Sequence, residues 1–289
     1  MKLSVIVTGR NDGFAEDFLD RLKKSITSNI KFFNKNNINF EYIIVDWFPL
    51  SEEKYLYKCD FLRELTNENI KHIVVSSSIA PQEKLNKDIF YEYFAKNVGI
   101  KNSSGEYCLI LNSDIIVPTA LCKEVFDIIY HNKKEHFYRP AIRSNIKFTN
   151  YDTNELTVLS ELPLRNSELS DDIVSGAYSG DWCLVEREAL INVGQGYDET
   201  CNEHRNFNLW QTGMDAELLW NLHHKNITLE TLNTFYYHID HGNSAKHIST
   251  GKKQVNGVYR EGISYVNKTD WGLTKYSKQQ VGDNIFIIQ

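Results

Sequence analysis

The first 118 residues alternate between short aliphatic runs and stretches with helical spacing, and this alternation restricts the fold more than any other property of the chain. Leu3 to Thr8 is nearly continuous in aliphatic residues and stops at Gly9, the pattern of a strand buried on both faces. Asn11, Asp12 and Gly13 supply helix-start chemistry, and Phe14, Phe18, Leu22, Ile26 and Ile30 follow every four residues. The polar stretch 34–39 leads to a second strand, Tyr42 to Val45, which ends at Asp46 and Trp47. A helix is predicted over Lys54 to Thr66 and a third strand over His72 to Val75. Strands and helices in this order predict a Rossmann-like, doubly wound sheet.

The next unit carries the chemistry. Phe90, Phe94 and Val98 close a helix, Gly105 turns the chain, and the apolar strand Tyr107 to Leu111 runs straight into Asn112-Ser113-Asp114. Ligands of open α/β sheets collect beyond the carboxyl ends of the strands. A carboxylate delivered there by a buried strand is badly placed for the core and well placed for a metal. The dinucleotide fingerprint GxGxxG is absent from the first turn, Thr8-Gly9-Arg10-Asn11-Asp12, which disfavours a nicotinamide-type enzyme.

After Pro118 a further helix is predicted, with Leu121, Val125 and Ile129 on one face. Short strands follow over Phe137 to Ile142 and Leu156 to Leu159, then a strand from Asp181 to Val185 and a helix from Glu186 to Val193. Met214 to His224 reads as a helix, and Thr228 to Tyr237 as a strand that delivers His238-Ile239-Asp240-His241. The tail from Ser249 is polar apart from Trp271 and a final Ile285 to Ile288, expected as an edge strand.

A formal charge of −6 offers no electrostatic footprint for nucleic acid or an anionic membrane, so an anionic ligand has to be met by local charges or by a cation. The run after Met1-Lys2 is too short for a secretory signal, and no stretch approaches the roughly 20 apolar residues of a membrane span. Five cysteines without a close CxxC pair fit reduced thiols, and a cytoplasmic protein is expected.

The opening LSVIVTGRND, Lys96-Asn97-Val98-Gly99 and Asn112-Ser113-Asp114 together resemble the nucleotide-sugar glycosyltransferases of the GT-A fold, most nearly the family 2 type. That family's pattern is a basic residue, Asn, one residue and Gly, then a strand and Asp-x-Asp; here the first acidic position is Asn112. The resemblance covers most of residues 1–245. It implies a mostly parallel central sheet flanked by helices, with a nucleotide-binding half over 1–118, an acceptor-side half over 119–245 and a C-terminal extension over 246–289. It also implies transfer of a sugar from a nucleoside-diphosphate donor (UDP or GDP) to a hydroxyl of a glycan or similar acceptor, with Mn2+ or Mg2+ as cofactor.

Under this resemblance Asp114 holds the ion and stabilises the departing diphosphate, with His238 and His241 as further ligands. Asp46 takes the nucleotide base or ribose, and Thr8 and Arg10 contact base and phosphate. Lys96 offsets diphosphate charge and Asn97 orients it. Asn112 binds the ion or sugar hydroxyls, and Ser113 belongs to the same donor-binding set. Asp181, in the segment Gly176 to Asp181, accepts from sugar hydroxyls, with Trp182 or Tyr178 available for stacking. Asp215 matches the family's acidic motif at a helix start and is the expected base if the configuration inverts, while Met214 replaces the usual acid; in a retaining reaction Asp181 would be the catalytic residue, steadying the oxocarbenium-like centre.

Each of these residues also has a plain structural reading: Asp114 and Asp46 as turn residues at strand ends, Lys96 and Asn97 as helix caps, Asp215 as a charge at a helix N-terminus, Trp182 as core. Two rival functions stay open, a degenerate member that only binds glycan or a partner, and a sugar nucleotidyltransferase.

Overall fold

The first aliphatic run, Leu3–Gly9 (β1), is buried along its whole length and lies inside a sheet with 11 strands among the described residues. The computed structural model describes residues 2–12, 17–65, 69–150, 155–163, 180–199, 214–241 and 266–289. In chain order the elements are β1, α1 (Phe18–Lys35), β2 (Phe40–Trp47), α2 (Asp60–Arg63), β3 (Ile70–Val75), α3 (Glu92–Lys101), β4 (Tyr107–Leu111), β5 (Ile115–Ile116) and α4 (Thr119–Tyr130). There follow β6 (His136–Asn150), β7 (Glu155–Pro163), β8 (Trp182–Glu186), α5 (Met214–His223), β9 (Thr228–Ile239), β10 (Lys278–Gly282) and β11 (Ile285–Ile288). The sheet order is β10-β11-β3-β2-β1-β4-β8-β6-β9-β5, with β7 beside β6.

Helices cover both faces of the sheet. On one face α1 buries Leu22, Ile26, Ile30 and Phe33 against β1, β2 and β4, together with Leu121 and Val125 of α4. On the other, α3 packs Phe94 and Val98 onto Ile6, Val45 and Ile110. Gly99 sets the closeness of that packing, because a Cβ there would stand 2.3 Å from the Ile6 Cγ2.

The sheet departs from the mostly parallel one expected. β1, β2, β3, β4 and β11 run parallel. β8 pairs antiparallel with β4, β6 antiparallel with β8 and β7, and β5 antiparallel with β9. The result is a mixed α/β sheet with flanking helices. β6 and β9 are also longer than predicted, at 15 and 12 residues, since they pair with each other for most of their length.

Other expectations shift locally. The helix predicted over Lys54 to Thr66 is broken into two short 3-10 turns and the four-residue α2, because Tyr55 and Cys59 adopt extended ψ of 129° and 133°. That break lets the Leu56 N–H donate to the Asp46 carboxylate at 2.7 Å. The helix predicted from Glu186 starts later, since Glu186 still pairs with Tyr107 and a π-helical turn occupies Ala189–Gly194. Ile285 to Ile288 is an inner strand between β3 and β10.

Residues 266–289 contribute to the same core. Trp271 and Leu273 pack with Phe94 and Tyr197, and the Glu199 carboxylate accepts from both the Asn97 amide (2.8 Å) and the Gly272 N–H (2.9 Å). Among the described residues no helix is long and apolar enough to cross a membrane.

Candidate metal centre and ligand site

After β4 the chain does not stay beside its neighbours. Asn112 turns it, with its N–H donating to the Asp181 carbonyl at 3.0 Å and its carbonyl accepting from Ile115 N–H at 3.3 Å. The next two residues, β5, pair with β9 at the far side of the sheet, Ile115 opposite His238 and Ile116 opposite Tyr237. The Asp114 carbonyl accepts from the Ile239 N–H at 3.0 Å. A two-residue ladder thus sets Asp114 beside the histidine end of β9.

Helix α1 holds that ladder in place. Three residues at a spacing of four, Arg21, Ser25 and Asn29, are buried next to the apolar stripe. The Ser25 hydroxyl donates to the Ile115 carbonyl at 2.6 Å. The Asn29 amide donates to the same carbonyl at 2.9 Å and accepts from Val117 N–H at 2.8 Å. Backbone groups that a two-residue strand leaves unpaired are satisfied by these side chains.

Asp114, His238 and His241 form a cluster whose potential ligand atoms all lie within 4.8 Å of one another. Asp114 Oδ2 is 3.1 Å from His241 Nε2 and 3.6 Å from His238 Nε2. Ligands that each stand about 2.0–2.2 Å from one ion are themselves roughly 3–3.5 Å apart, so these separations fit a shared cation. Asp114 Oδ1 and both histidine Nδ1 atoms are buried without a hydrogen-bond partner among the described residues.

The electrostatics agree with that fit. Burial works to raise the Asp114 pKa, yet the carboxyl is held well below the usual range because His238 and His241 lie against it. Burial pushes His238 down to about 4, against the pull of Asp114. At neutral pH we therefore take the carboxylate as ionised and His238 as uncharged, the protonation states that metal ligands need.

A second network joins Lys96, Asn112 and Asp181. Lys96 is fully buried and its ammonium donates to Glu92, to the Asn112 Oδ1 at 2.9 Å and to the Gly180 carbonyl at 2.8 Å. Asn112 in turn donates to Asp181 Oδ1 at 2.9 Å. Asp181 Oδ2 accepts from the Arg143 guanidinium and from the Tyr236 hydroxyl, the latter at 2.9 Å. Burial pushes Asp181 up to about 6 even with Arg143 beside it.

At the ends of β1 and β2, Gly9 faces Asp46 in register. Asp46 is buried, with Oδ2 held by Leu56 N–H and Oδ1 without a partner among the described residues. Burial raises it to about 7, partly offset by that N–H and by Arg10. Arg10 donates to Asp12 at 2.6 Å and to the carbonyls of Lys87 and Asp88 at 3.2 and 3.0 Å. Thr8 is buried on β1 and Ser113 half-buried beside Asp114.

Asn97 lies apart from both clusters. Its amide brackets the turn after Gly194, donating to the Tyr197 carbonyl and accepting from Tyr197 N–H. Gly196, at φ 68°, fits there because a Cβ would stand 2.4 Å from the Asn97 Oδ1. Asp215 lies in the first turn of α5, and its side chain is outside the described residues, as are Gly176 to Ser179 with Tyr178. Trp182 is buried in the core.

Sequence reasoning missed Arg143, Tyr236, Ser25 and Asn29. The last two had a signal, polar residues four apart on the buried side of an amphipathic helix. Arg143 and Tyr236 had none, since only the β6–β9 register brings them opposite each other.

No family model matches the sequence, and no curated protein matches it. Among solved structures, S. aureus TarS is similar at 16% identity and a TM-score of 0.48, over 86% of this chain and 38% of that one. A TarS structure of residues 1–349 in complex with UDP-GlcNAc gives 15% identity and a TM-score of 0.46, over 88% and 62%. The same segment in complex with UDP gives 16% and 0.44, over 86% and 63%. The chain spans less than two thirds of the length of each of these.

Proposed function

We propose that the protein is a glycosyltransferase of GT-A type, moving a sugar from a nucleoside-diphosphate donor to a hydroxyl acceptor, with a divalent metal ion as cofactor. The observation that carries this reading is the Asp114-His238-His241 cluster, where the chain leaving the inner strand β4 meets the end of β9, with Asp114 and His238 buried and His241 half-buried. Asp114, His238 and His241 would hold the ion. Two imidazole nitrogens beside one carboxylate favour a transition metal over Mg2+, so of the two expected cofactors Mn2+ fits these ligands better. When bound, the ion supplies positive charge for the diphosphate as its bond to the sugar breaks.

The chain's own residues do the rest. Asp46, with one buried carboxylate oxygen that has no partner among the described residues, accepts from a base N–H or a ribose hydroxyl. Lys96, Asn112, Arg143 and Tyr236 hold Asp181 rigid at the wall beside the metal ligands. Asp215 is the general base: it takes the proton of the acceptor hydroxyl as that oxygen bonds to the anomeric carbon and the sugar-diphosphate bond breaks.

The test is a thermal-shift panel of UDP, GDP and their sugars with and without Mn2+, followed by donor-consumption assays. A ligand at a hundred times its Kd stabilises the native state by about 2.7 kcal/mol, a readily measured shift. Stabilisation by one nucleoside diphosphate that requires Mn2+ and disappears in Asp114→Ala is expected. No shift with any of them would overturn the reading.

A further inference from the structure

The opposite end of the sheet carries a second ligand-sized feature. A groove of about 350 Å³ lies between the turn ahead of β2 and the last turns of α4, lined by Asn37, Ile38, Asn39, Phe126, Ile129 and Tyr130. That volume is at the small end of the range for small-molecule sites. Asp46 is seven residues beyond Asn39 along β2, about 23 Å of extended chain, and α4 runs about 18 Å from its start near β5 to Tyr130. The groove is therefore remote from the Asp114 cluster.

Its lining has a specific chemistry. Ile38 and Ile129 form a buried floor. Phe126 and Tyr130, one helical turn apart, place their rings nearly parallel, 13° between planes with centroids 5.6 Å apart. They leave 36% and 69% of their surface exposed, although neither belongs to the core. Facing them are the exposed side chains of Asn37 and Asn39. Asn37 is accounted for by its turn, at φ 55°; Asn39, directly ahead of β2, is not. No lining residue is charged.

We propose that this groove binds a neutral saccharide. Aromatic faces beside an apolar floor suit the C–H face of a sugar ring. Carboxamides, which both donate and accept, suit hydroxyls, which do the same. A charged ligand would find no partner here. A second copy of the chain would need about 20–30 residues a side for a stable interface, far more than this concave patch offers. The site is independent of the donor chemistry proposed above and would add an anchoring point for a glycan well away from the metal cluster.

Saturation-transfer NMR and calorimetry on the full chain, with cellobiose and N,N′-diacetylchitobiose as probes, test it in the presence of excess UDP and Mn2+. The expected result is transfer to at least one probe that survives UDP and Mn2+ and survives Asp114→Ala. Tyr130→Ala is expected to weaken binding about tenfold, equivalent to about 1.4 kcal/mol, with an unchanged melting temperature because the side chain is exposed. Tyr130→Phe keeps the ring and stays within about twofold. Absence of transfer to both probes, transfer unaltered in Tyr130→Ala, or loss of transfer on adding UDP would each overturn the proposal. So would self-association in sedimentation velocity that Tyr130→Ala abolishes, since the patch would then be a contact between copies.

Discussion

Asp114 and Asp181 are both buried carboxylates directly ahead of a strand, β5 and β8, and they differ in how their oxygens are used. Asp181 accepts from Asn112, Arg143 and Tyr236, so its acceptor positions are filled by the protein. Asp114 keeps Oδ1 without a partner among the described residues, and its other oxygen faces His241 at 3.1 Å. Burying a charge is costly unless it is paired and hydrogen-bonded. A carboxylate that meets its cost inside the fold behaves as scaffold, whereas one left half-satisfied beside two imidazoles is arranged for something that arrives later.

The largest effect expected from this contrast is on Asp114→Ala. Turnover in Mn2+ should fall by about 10³-fold, the scale seen when a group stabilising developing negative charge is removed, with the folded state retained by circular dichroism. Near-normal turnover would break the contrast at its active end. Next comes Arg143→Met, which leaves Asp181 buried without its cation. Breaking such a pair costs about 3–5 kcal/mol, so urea unfolding should show a loss near the low end of that range, Tyr236 and Asn112 still donating. A loss below about 1 kcal/mol would mean that Asp181 is not held as the scaffold reading requires.

The third effect sharpens the contrast from behind the site. Asn29→Ala removes one donor and one acceptor from the backbone around β5, with an expected stability loss of about 1–3 kcal/mol. Residues that orient metal ligands typically change metal affinity by about 10–100-fold. Mn2+ titration followed by thermal shift should show a weakening in that range for Asn29→Ala and none for a surface variant such as Lys23→Ala. Weakened stability with unaltered Mn2+ affinity would assign Asn29 to packing alone.

Much of this is legible in the chain, for definite reasons. β1 and β4 are buried on both faces and read as nearly continuous apolar runs close to their observed bounds, whereas only Tyr42 to Val45 of the eight-residue β2 reads so, because Glu41 and Asp46 interrupt it. The other half of the sheet does not, because β6 carries Arg139 and Pro140 within its parallel pairing to β9, and β9 mixes exposed and buried positions along its length. β10 holds a single aliphatic residue, and only its ladder with β11 makes it a strand. Asp114, His238 and His241 each stand out at a strand end. What no local pattern expresses is the crossing of β5 from β4 to β9, which makes neighbours of them.

The last effect concerns Asp46, whose Oδ1 also has no partner among the described residues, and it is read as a pH dependence of stability. Burial raises its pKa from 3.8 to about 7, Leu56 N–H and Arg10 offsetting only part of the penalty. The folded state therefore holds this proton over a window in which the unfolded chain has released it. Stability from this group is complete below about pH 4 and is lost as the pH rises towards about 7, after which the penalty is constant. Asp46→Asn removes that slope, which is on the order of 1 kcal/mol per pH unit within the window, so the variant should gain stability relative to the native protein between about pH 5 and pH 8. Urea midpoints at the two pH values measure it. Equal slopes in the two proteins would show that the Asp46 carboxyl is already hydrated, and the difference between a filled and a half-filled carboxylate would then rest on Asp114 and Asp181 alone.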